Sequence, residues 1–95
     1  MKIELSPEAV ADLEDIARYI ARDNPRAADA WVDRLIDRAE KASLQPRAGR
    51  VVPELGDPSI REVFLRTYRI IYRIEPGRLL VLTVLEGRQR LRRSG

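Results

Sequence analysis

The segment at residues 61–88 reads REVFLRTYRIIYRIEPGRLLVLTVLEGR and dominates the predicted architecture. From Tyr68 to Ile74 its residues alternate with a period of two, which predicts a strand that has Tyr68, Ile70, Tyr72 and Ile74 on a packed face and arginines on a charged one. Residues 75–78, EPGR, favour a turn, because proline fixes φ at the first central position and glycine accepts a positive φ at the second. We therefore predict a three-stranded antiparallel meander.

The last strand of this meander is apolar at nearly every position. Residues 79–85 read LLVLTVL, a pattern typical of a strand that is covered on both faces. Such coverage can come from the interior of the sheet or from a partner molecule, and the sequence leaves both open.

The segments before the meander predict a short strand and a helical hairpin. Residues 2–5 alternate in polarity, and Ser6-Pro7 supplies an N-cap hydroxyl and a first-turn proline. Asn24-Pro25 ends this first helix and caps a second one, which runs to about Ala42 or Ser43 and presents Trp31 as a core anchor. Residues 44–57 form a loop with a short extended piece near residues 50–55. The predicted fold class is α+β.

Length and composition favour one globular domain at residues 1–95, with 44% hydrophobic and 35% charged residues. There is no cysteine, so no disulfide framework is available. No apolar run approaches 18 residues, and no basic-apolar leader is visible. We therefore expect a cytoplasmic protein without a membrane span or signal peptide.

The charges are unevenly distributed along the chain. Residues 1–43 carry ten acids and seven bases, whereas residues 44–95 carry five acids and eleven bases. Sixteen of the eighteen bases are arginine, whose forked guanidinium suits carboxylates and phosphates. The sheet half is therefore the cationic half, and it is either an anion-binding surface or simply a solvated basic one.

Several chemistries are excluded by composition. The absence of His and Cys excludes a typical zinc site, a thiolate nucleophile and a histidine acid–base pair. The scattered acids disfavour a metal site, and no Gly-rich phosphate loop is present, so we expect no cofactor. RNA cleavage stays possible in principle through Glu54, Glu62 or Glu86, but a general acid that works at neutral pH is missing.

Five short motifs occur in an order and spacing that resemble the ParE toxins of the RelE/ParE superfamily, also known as plasmid stabilisation proteins. The motifs are Asn24-Pro25 with Ala27-Ala28, Pro46-Arg47-Ala48-Gly49-Arg50, Arg61-Glu62, Tyr68-Arg69-Ile70-Ile71-Tyr72 and Glu86-Gly87-Arg88. The resemblance covers nearly the whole chain. It implies a small bacterial α+β toxin that a ParD-like antitoxin silences in a hetero-oligomer.

The resemblance also implies two alternative targets. ParE-like members are associated with poisoning of DNA gyrase, whereas RelE-like members cut mRNA on the ribosome. RelE-type enzymes use clustered lysines and arginines with a late tyrosine, or a Glu with a His. Here no tyrosine follows Tyr72, and Glu86 stands where many relatives place a histidine. This favours a binding inhibitor of gyrase without catalytic residues over a ribosome-dependent ribonuclease; an inactive antitoxin-binding relic is a third reading.

Two sets of binding residues follow from this interpretation. The charged strand face and the arginine-rich end are expected to contact the target, without sequence-specific binding to nucleic acid. The apolar last strand is expected to contact a helix of the antitoxin. The target set is Arg61, Arg69, Arg73, Glu86, Gly87, Arg88 and Arg90, and the antitoxin set is Leu79, Val81 and Leu85.

Overall fold

The computed structural model describes residues 1–87 and contains one sheet with two helices on one of its faces. The strands are β1 (Lys2–Leu5), β2 (Arg50–Val51), β3 (Ile60–Leu65), β4 (Tyr68–Glu75) and β5 (Arg78–Glu86). The helices are α1 (Pro7–Ala21) and α2 (Pro25–Ala42), and a single 3-10 turn covers Pro46–Ala48.

The strand order is β1-β5-β4-β3-β2, with β1 parallel to β5 and all other pairs antiparallel. The predicted α+β class and the meander of β3, β4 and β5 are therefore confirmed. β5 lies between β1 and β4, so its apolar sequence reflects a position inside the sheet.

Both helices begin at the predicted caps. The Ser6 hydroxyl accepts a hydrogen bond from the Ala9 N–H at 3.0 Å, and the Asn24 side-chain oxygen accepts one from the Ala27 N–H at 3.2 Å. These side chains satisfy N–H groups that have no partner inside the first helical turn. Only three residues separate α1 from α2, so the second helix folds back against the first.

The core lies between the helices and one face of the sheet, which we call the inner face. Leu13 and Leu35 of the helices pack there with Ile70, Tyr72 and Val84. Trp31 is only half-buried, at the margin of this core: its ring contacts Tyr68 edge-on with a centroid distance of 5.8 Å, and the Arg34 guanidinium lies 5.2 Å from its centroid. The predicted contact of Trp31 with the sheet is therefore present at Tyr68, whereas the fully buried core position on α2 belongs to Leu35.

A register shift in β5 attaches the sheet to α1. The ladder pairs Ile71 with Thr83 but Tyr72 with Val81, so Leu82 is an extra residue. Its carbonyl accepts from the Ser6 hydroxyl at 2.8 Å, while Asp12 accepts from the Val84 N–H at 2.9 Å and from the Thr83 hydroxyl at 2.6 Å. The polar groups freed by this bulge are thus used to fix the start of α1.

The two hairpin turns of the meander differ in how well the sequence predicts them. Gly77 has the expected positive φ, at 76°, between β4 and β5. The turn between β3 and β4 places Arg66 at φ 55°, although a left-handed conformation is usually occupied by Gly, Asn or Asp. Nothing in the local sequence indicates this conformation.

Candidate target-binding surface

The face of the sheet opposite the helices, which we call the outer face, holds an ion-pair network instead of a free row of arginines. Arg69 donates to Glu54 at 2.9 and 3.0 Å and to Glu62 at 2.9 and 2.6 Å. These bonds, to Glu54 first and then to Glu62, raise the pKa of Arg69. Arg69 is only 6% exposed and the Glu62 side chain is fully buried. The prediction that Arg69 lies on a solvated face is therefore wrong.

The network reaches solvent through Arg50. Its Nε donates to the Glu62 carboxylate at 2.7 Å, and its side chain is 60% exposed. The same guanidinium lies 5.5 Å from the ring centroid of Phe64, which is itself 43% exposed. A cation held against an exposed aromatic ring is one part of this face that can contact another molecule. Neither residue belongs to the predicted sets of binding residues.

Arg61, a predicted target contact, is largely used inside the molecule. It donates to the carbonyls of Pro58 at 2.7 Å, Arg47 at 2.9 Å and Gly49 at 3.1 Å. These three bonds hold the loop that contains the 3-10 turn against β3. The placement of Arg61 favours a structural role that leaves few of its donors for a target.

The position of the Tyr72 side chain explains why residue 49 of this loop is a glycine. The Tyr72 hydroxyl donates to the Pro46 carbonyl at 2.6 Å, and a Cβ at position 49 would lie 2.3 Å from that hydroxyl oxygen. Burial raises the pKa of Tyr72 above its usual value. The segment 46–50 is therefore a packing element that receives the end of a core tyrosine.

Arg73 lies at the other end of β4 and takes part in a second, more exposed set of ion pairs. Its Nε donates to Glu75 at 2.7 Å, and Arg78 donates to the same carboxylate at 2.6 Å. Arg73 and then Arg78 lower the pKa of Glu75. Arg78 also pairs with Glu4 of β1. Arg73 keeps 43% of its side chain exposed, whereas the Arg69 side chain is only 7% exposed, so Arg73 is the more accessible of these two predicted target contacts.

Glu86 is the last residue of β5 and lines a groove between α1 and the sheet, and Gly87 follows it directly. The groove also contains Tyr68, whose pKa is raised by burial and then by the nearby Glu86 and Tyr19. A Cβ at Gly87 would lie 2.5 Å from the Thr67 carbonyl oxygen, so the glycine permits a close approach of two backbones. Its φ is not positive, so a left-handed conformation is not the reason for glycine at this position.

The residues predicted to contact the antitoxin are placed differently from one another. Leu79 and Val81 are 0% and 1% exposed and belong to the core under the helices. The prediction that they contact a partner is wrong, because the chain's own helices cover them. Leu85 is partly exposed and lines the groove beside Glu86.

Comparisons with known proteins agree with this architecture. The profile of the family described as "ParE toxin of type II toxin-antitoxin system, parDE" matches residues 3–91. This chain belongs to the ParE toxin family. Toxin RelE3 of Caulobacter vibrioides is 26% identical over 92 residues, which cover 93% of this chain and 96% of that toxin. A solved structure titled "Chromosomal ParDE TA system from P. aeruginosa" matches with a TM-score of 0.74 at 18% identity, over 88% of this chain and 92% of that one.

Some predicted features of this ParE-family toxin lie outside the described part. Arg88 and Arg90 follow residue 87, so the structure does not place them. Within residues 1–87, no cluster of three His, Cys, Asp or Glu side chains is arranged to hold a metal ion. None of the helices described there is both long and apolar enough to span a bilayer.

Proposed function

We propose that this toxin inhibits bacterial growth by binding DNA gyrase, and that a ParD-like antitoxin neutralises it. Membership of the ParE toxin family supports the pairing with an antitoxin. The choice of binding over catalysis is supported by one observation, which is that two of the three acids considered for RNA cleavage, Glu54 and Glu62, are already used as ion-pair partners.

Glu54 and Glu62 both neutralise Arg69, and Glu62 also accepts from Arg50. A carboxylate that accepts a proton in this position would leave a buried guanidinium without its counter-charge, which is costly. The Tyr72 hydroxyl is bound to the Pro46 carbonyl, and its raised pKa opposes ionisation at neutral pH. Of the three acids considered for RNA cleavage, Glu86 is therefore the one that discriminates between the two functions.

Two activities of the purified protein test the proposal. With gyrase, DNA and ATP, we expect an accumulation of covalent gyrase–DNA cleavage complexes. With ribosomes and mRNA, we expect no new cleavage products. Site-specific mRNA cleavage without any effect on gyrase would refute the proposal and favour the ribonuclease.

Glu86→Gln sharpens this test in living bacteria. A binding inhibitor should stay toxic, whereas loss of a general acid or base lowers a rate by about 10²–10⁴-fold and would abolish growth arrest. Glu40→Gln, at an exposed position of α2, is the matched control for removal of one acid. Glu54→Gln is less informative, because it also removes a partner of Arg69.

Arginine substitutions should weaken toxicity in steps. We expect Arg73→Gln, Arg88→Gln and Arg90→Gln each to cause a modest loss, because separate contacts to an acidic or phosphate surface share the affinity. Arg22→Gln, at the exposed end of α1, is the control for net charge. Complete loss of toxicity from one of these changes alone, with the protein folded, would indicate a catalytic arginine instead.

The antitoxin contact is proposed to involve Leu85 and the groove beside it. A segment that is disordered when free and becomes helical on binding would cover the apolar part of this surface. Its acids would approach arginines of the cationic sheet half outside the groove, because the described lining of the groove contains none. We expect a gain of helical circular dichroism on mixing and weaker binding at high salt. Leu85→Ser should weaken the complex, and unchanged affinity would place the antitoxin elsewhere.

A further inference from the structure

A groove of about 310 Å³, which we call the α2 groove, lies between the C-terminal end of α2 and the loop that leads to β2. Its described lining contains two cations, Arg38 and Lys41, and no acid. None of its described lining residues belongs to the predicted target and antitoxin sets. The α2 groove is therefore separate from the surfaces considered above.

The two cations of the α2 groove keep their charge because no acid in the described part neutralises them. The Arg38 Nε donates to the Phe64 carbonyl at 3.3 Å, and a carbonyl is a neutral acceptor. Within residues 1–87, neither Arg38 nor Lys41 forms an ion pair. A guanidinium that is held only by neutral acceptors attracts anions from solution, in contrast to Arg69.

Arg61 adds a third positive charge close to this groove. It donates to three backbone carbonyls, which are also neutral. The pKa of Tyr72 is raised by burial, and the positive charges of Arg61 and Arg38 partly oppose this rise. Both guanidinium groups therefore lie near the Tyr72 hydroxyl, which approaches Gly49 in the lining of the α2 groove. Arg61 contributes its field rather than free donors.

The acids of α2 lie on a different side of the helix. The exposed ones are Asp29, Asp33, Asp37 and Glu40. The first two line a groove against α1, and the last two line a groove beside β1. Lys41 also borders the groove beside β1, so Arg38 is the cation that belongs to the α2 groove alone among these described grooves. The charges of α2 are thus separated into an acidic side and a basic side.

The apolar part of the lining indicates which kind of anion fits. It consists of Ala42, Leu44, Ala48 and Val63, and Leu44 is 78% exposed. Nucleic acids offer phosphates, but their bases are typically held by aromatic rings, and the described lining contains none. A peptide that combines carboxylates with an aliphatic side chain matches both the cations and the apolar surface.

We propose that the α2 groove binds an acidic peptide segment of a partner protein, with carboxylates at Arg38 and Lys41 and an aliphatic side chain against Leu44. This inference goes beyond the proposed function and requires neither gyrase nor the contact at Leu85. Failure of the gyrase experiment and failure of the peptide experiment are therefore separate results.

Nuclear magnetic resonance of the nitrogen-15-labelled full chain tests the proposal. The probes are short capped peptides that carry one leucine among aspartates and glutamates, with the leucine at each position in turn. We expect amide shifts concentrated at residues 38–49, and much smaller ones with the matching asparagine and glutamine peptides. No shifts there with any acidic peptide, or equal shifts with the amide peptides, would overturn the proposal. Shifts there with oligothymidylate alone would also overturn it, in favour of a nucleic-acid site.

A double variant tests the cations. Arg38→Gln with Lys41→Gln should weaken binding of the acidic peptide by about fivefold, since each exposed charge pair shifts an equilibrium by roughly 1.5- to 5-fold. Arg22→Gln with Arg26→Gln is the matched control, because it removes the same charge from exposed positions outside the described lining of the groove. An equal loss of affinity in both double variants would show attraction to the net charge only and would overturn the site.

A single variant tests the apolar contact. Leu44→Ser should weaken binding of the acidic peptide by about fourfold, which corresponds to the burial of roughly one methylene group. Because Leu44 is exposed, this change should leave the fold intact. Val10→Ser, at an exposed apolar position of α1, is the control. Unchanged affinity in Leu44→Ser would contradict the proposed seat of the peptide.

Discussion

The two faces of the sheet both bury side chains near the middle of the sheet, but by different chemistry. On the inner face, apolar side chains such as Leu35 and Ile70 pack against one another. On the outer face, Glu62 and Arg69 are as deeply buried, and they are stabilised by forked hydrogen bonds under the loop that carries Glu54. Removing an apolar side chain loses the stabilisation that came from its own packing. Removing one partner of a buried ion pair also leaves the charge of the other partner buried without compensation.

This difference affects where a target can bind. In the middle of the outer face, Glu54 and Glu62 neutralise the charge of Arg69. This charge therefore attracts a target only weakly, and the buried side chain cannot touch one. The accessible cations of the described sheet lie at its margins, where Arg50 stacks on Phe64 and Arg73 extends beside Glu75. We therefore expect binding variants to act at the margins and stability variants to act at the centre.

The largest effect should come from Arg69→Met, which leaves two carboxylates without their buried partner. We expect a loss of about 3–5 kcal/mol in the free energy of unfolding, measured by urea denaturation followed by Trp31 fluorescence. Adding Glu62→Met should recover part of this loss, because it removes the uncompensated charge. A cost below about 1 kcal/mol would show that the outer face is solvated and that the comparison of the two faces is mistaken.

On the inner face, Leu35→Ala should cost about 3 kcal/mol, because the side chain is only 2% exposed and leaves a cavity. Trp31→Ala should cost less, about 2 kcal/mol, since the ring is only partly buried at the margin of the core. The comparison needs a probe other than tryptophan, such as far-ultraviolet circular dichroism. If Trp31→Ala cost more than Leu35→Ala, the tryptophan would be the central anchor after all.

Gly49→Ala should cost about 1–3 kcal/mol, because the added Cβ forces the Tyr72 hydroxyl away from the Pro46 carbonyl. Ala48→Ser changes the neighbouring, exposed position by a similar volume and should be nearly neutral. Thermal unfolding of both variants measures the difference. Equal melting temperatures would mean that the loop moves freely to accept the methyl group.

The smallest effect concerns alkaline pH. Burial raises the pKa of Tyr72 above its ordinary value of 10.0, so the folded protein holds this proton more tightly than the unfolded chain does. Stability should therefore be intact below pH 10 and should fall as pH rises above it through the raised pKa. Tyr72→Phe, compared with Tyr19→Phe, should flatten this decline. An equally steep decline in both variants would assign the effect to other groups.

Local sequence predicts the elements of this fold well because their signals act over a few residues. Ser6 and Asn24 cap the helices, the EPGR segment turns between β4 and β5, and the period of two in β4 separates its faces. The site was predicted less well. Alternation assigns Arg69 to the face opposite the helices, but it carries no information about whether a distant loop covers that face.

The sequence alone determined the order of the elements, the apolar character of β5 and the exclusion of histidine and cysteine chemistry. Only the tertiary structure decided which charges are paired inside the molecule and which can contact another molecule. Glu54 meets Arg69 across fifteen residues, Arg50 meets Glu62 across twelve, and the Tyr72 hydroxyl meets Pro46 across twenty-six. The physical reason is that a buried charge requires a partner at hydrogen-bond distance, and chain folding, which composition and periodicity do not specify, selects that partner.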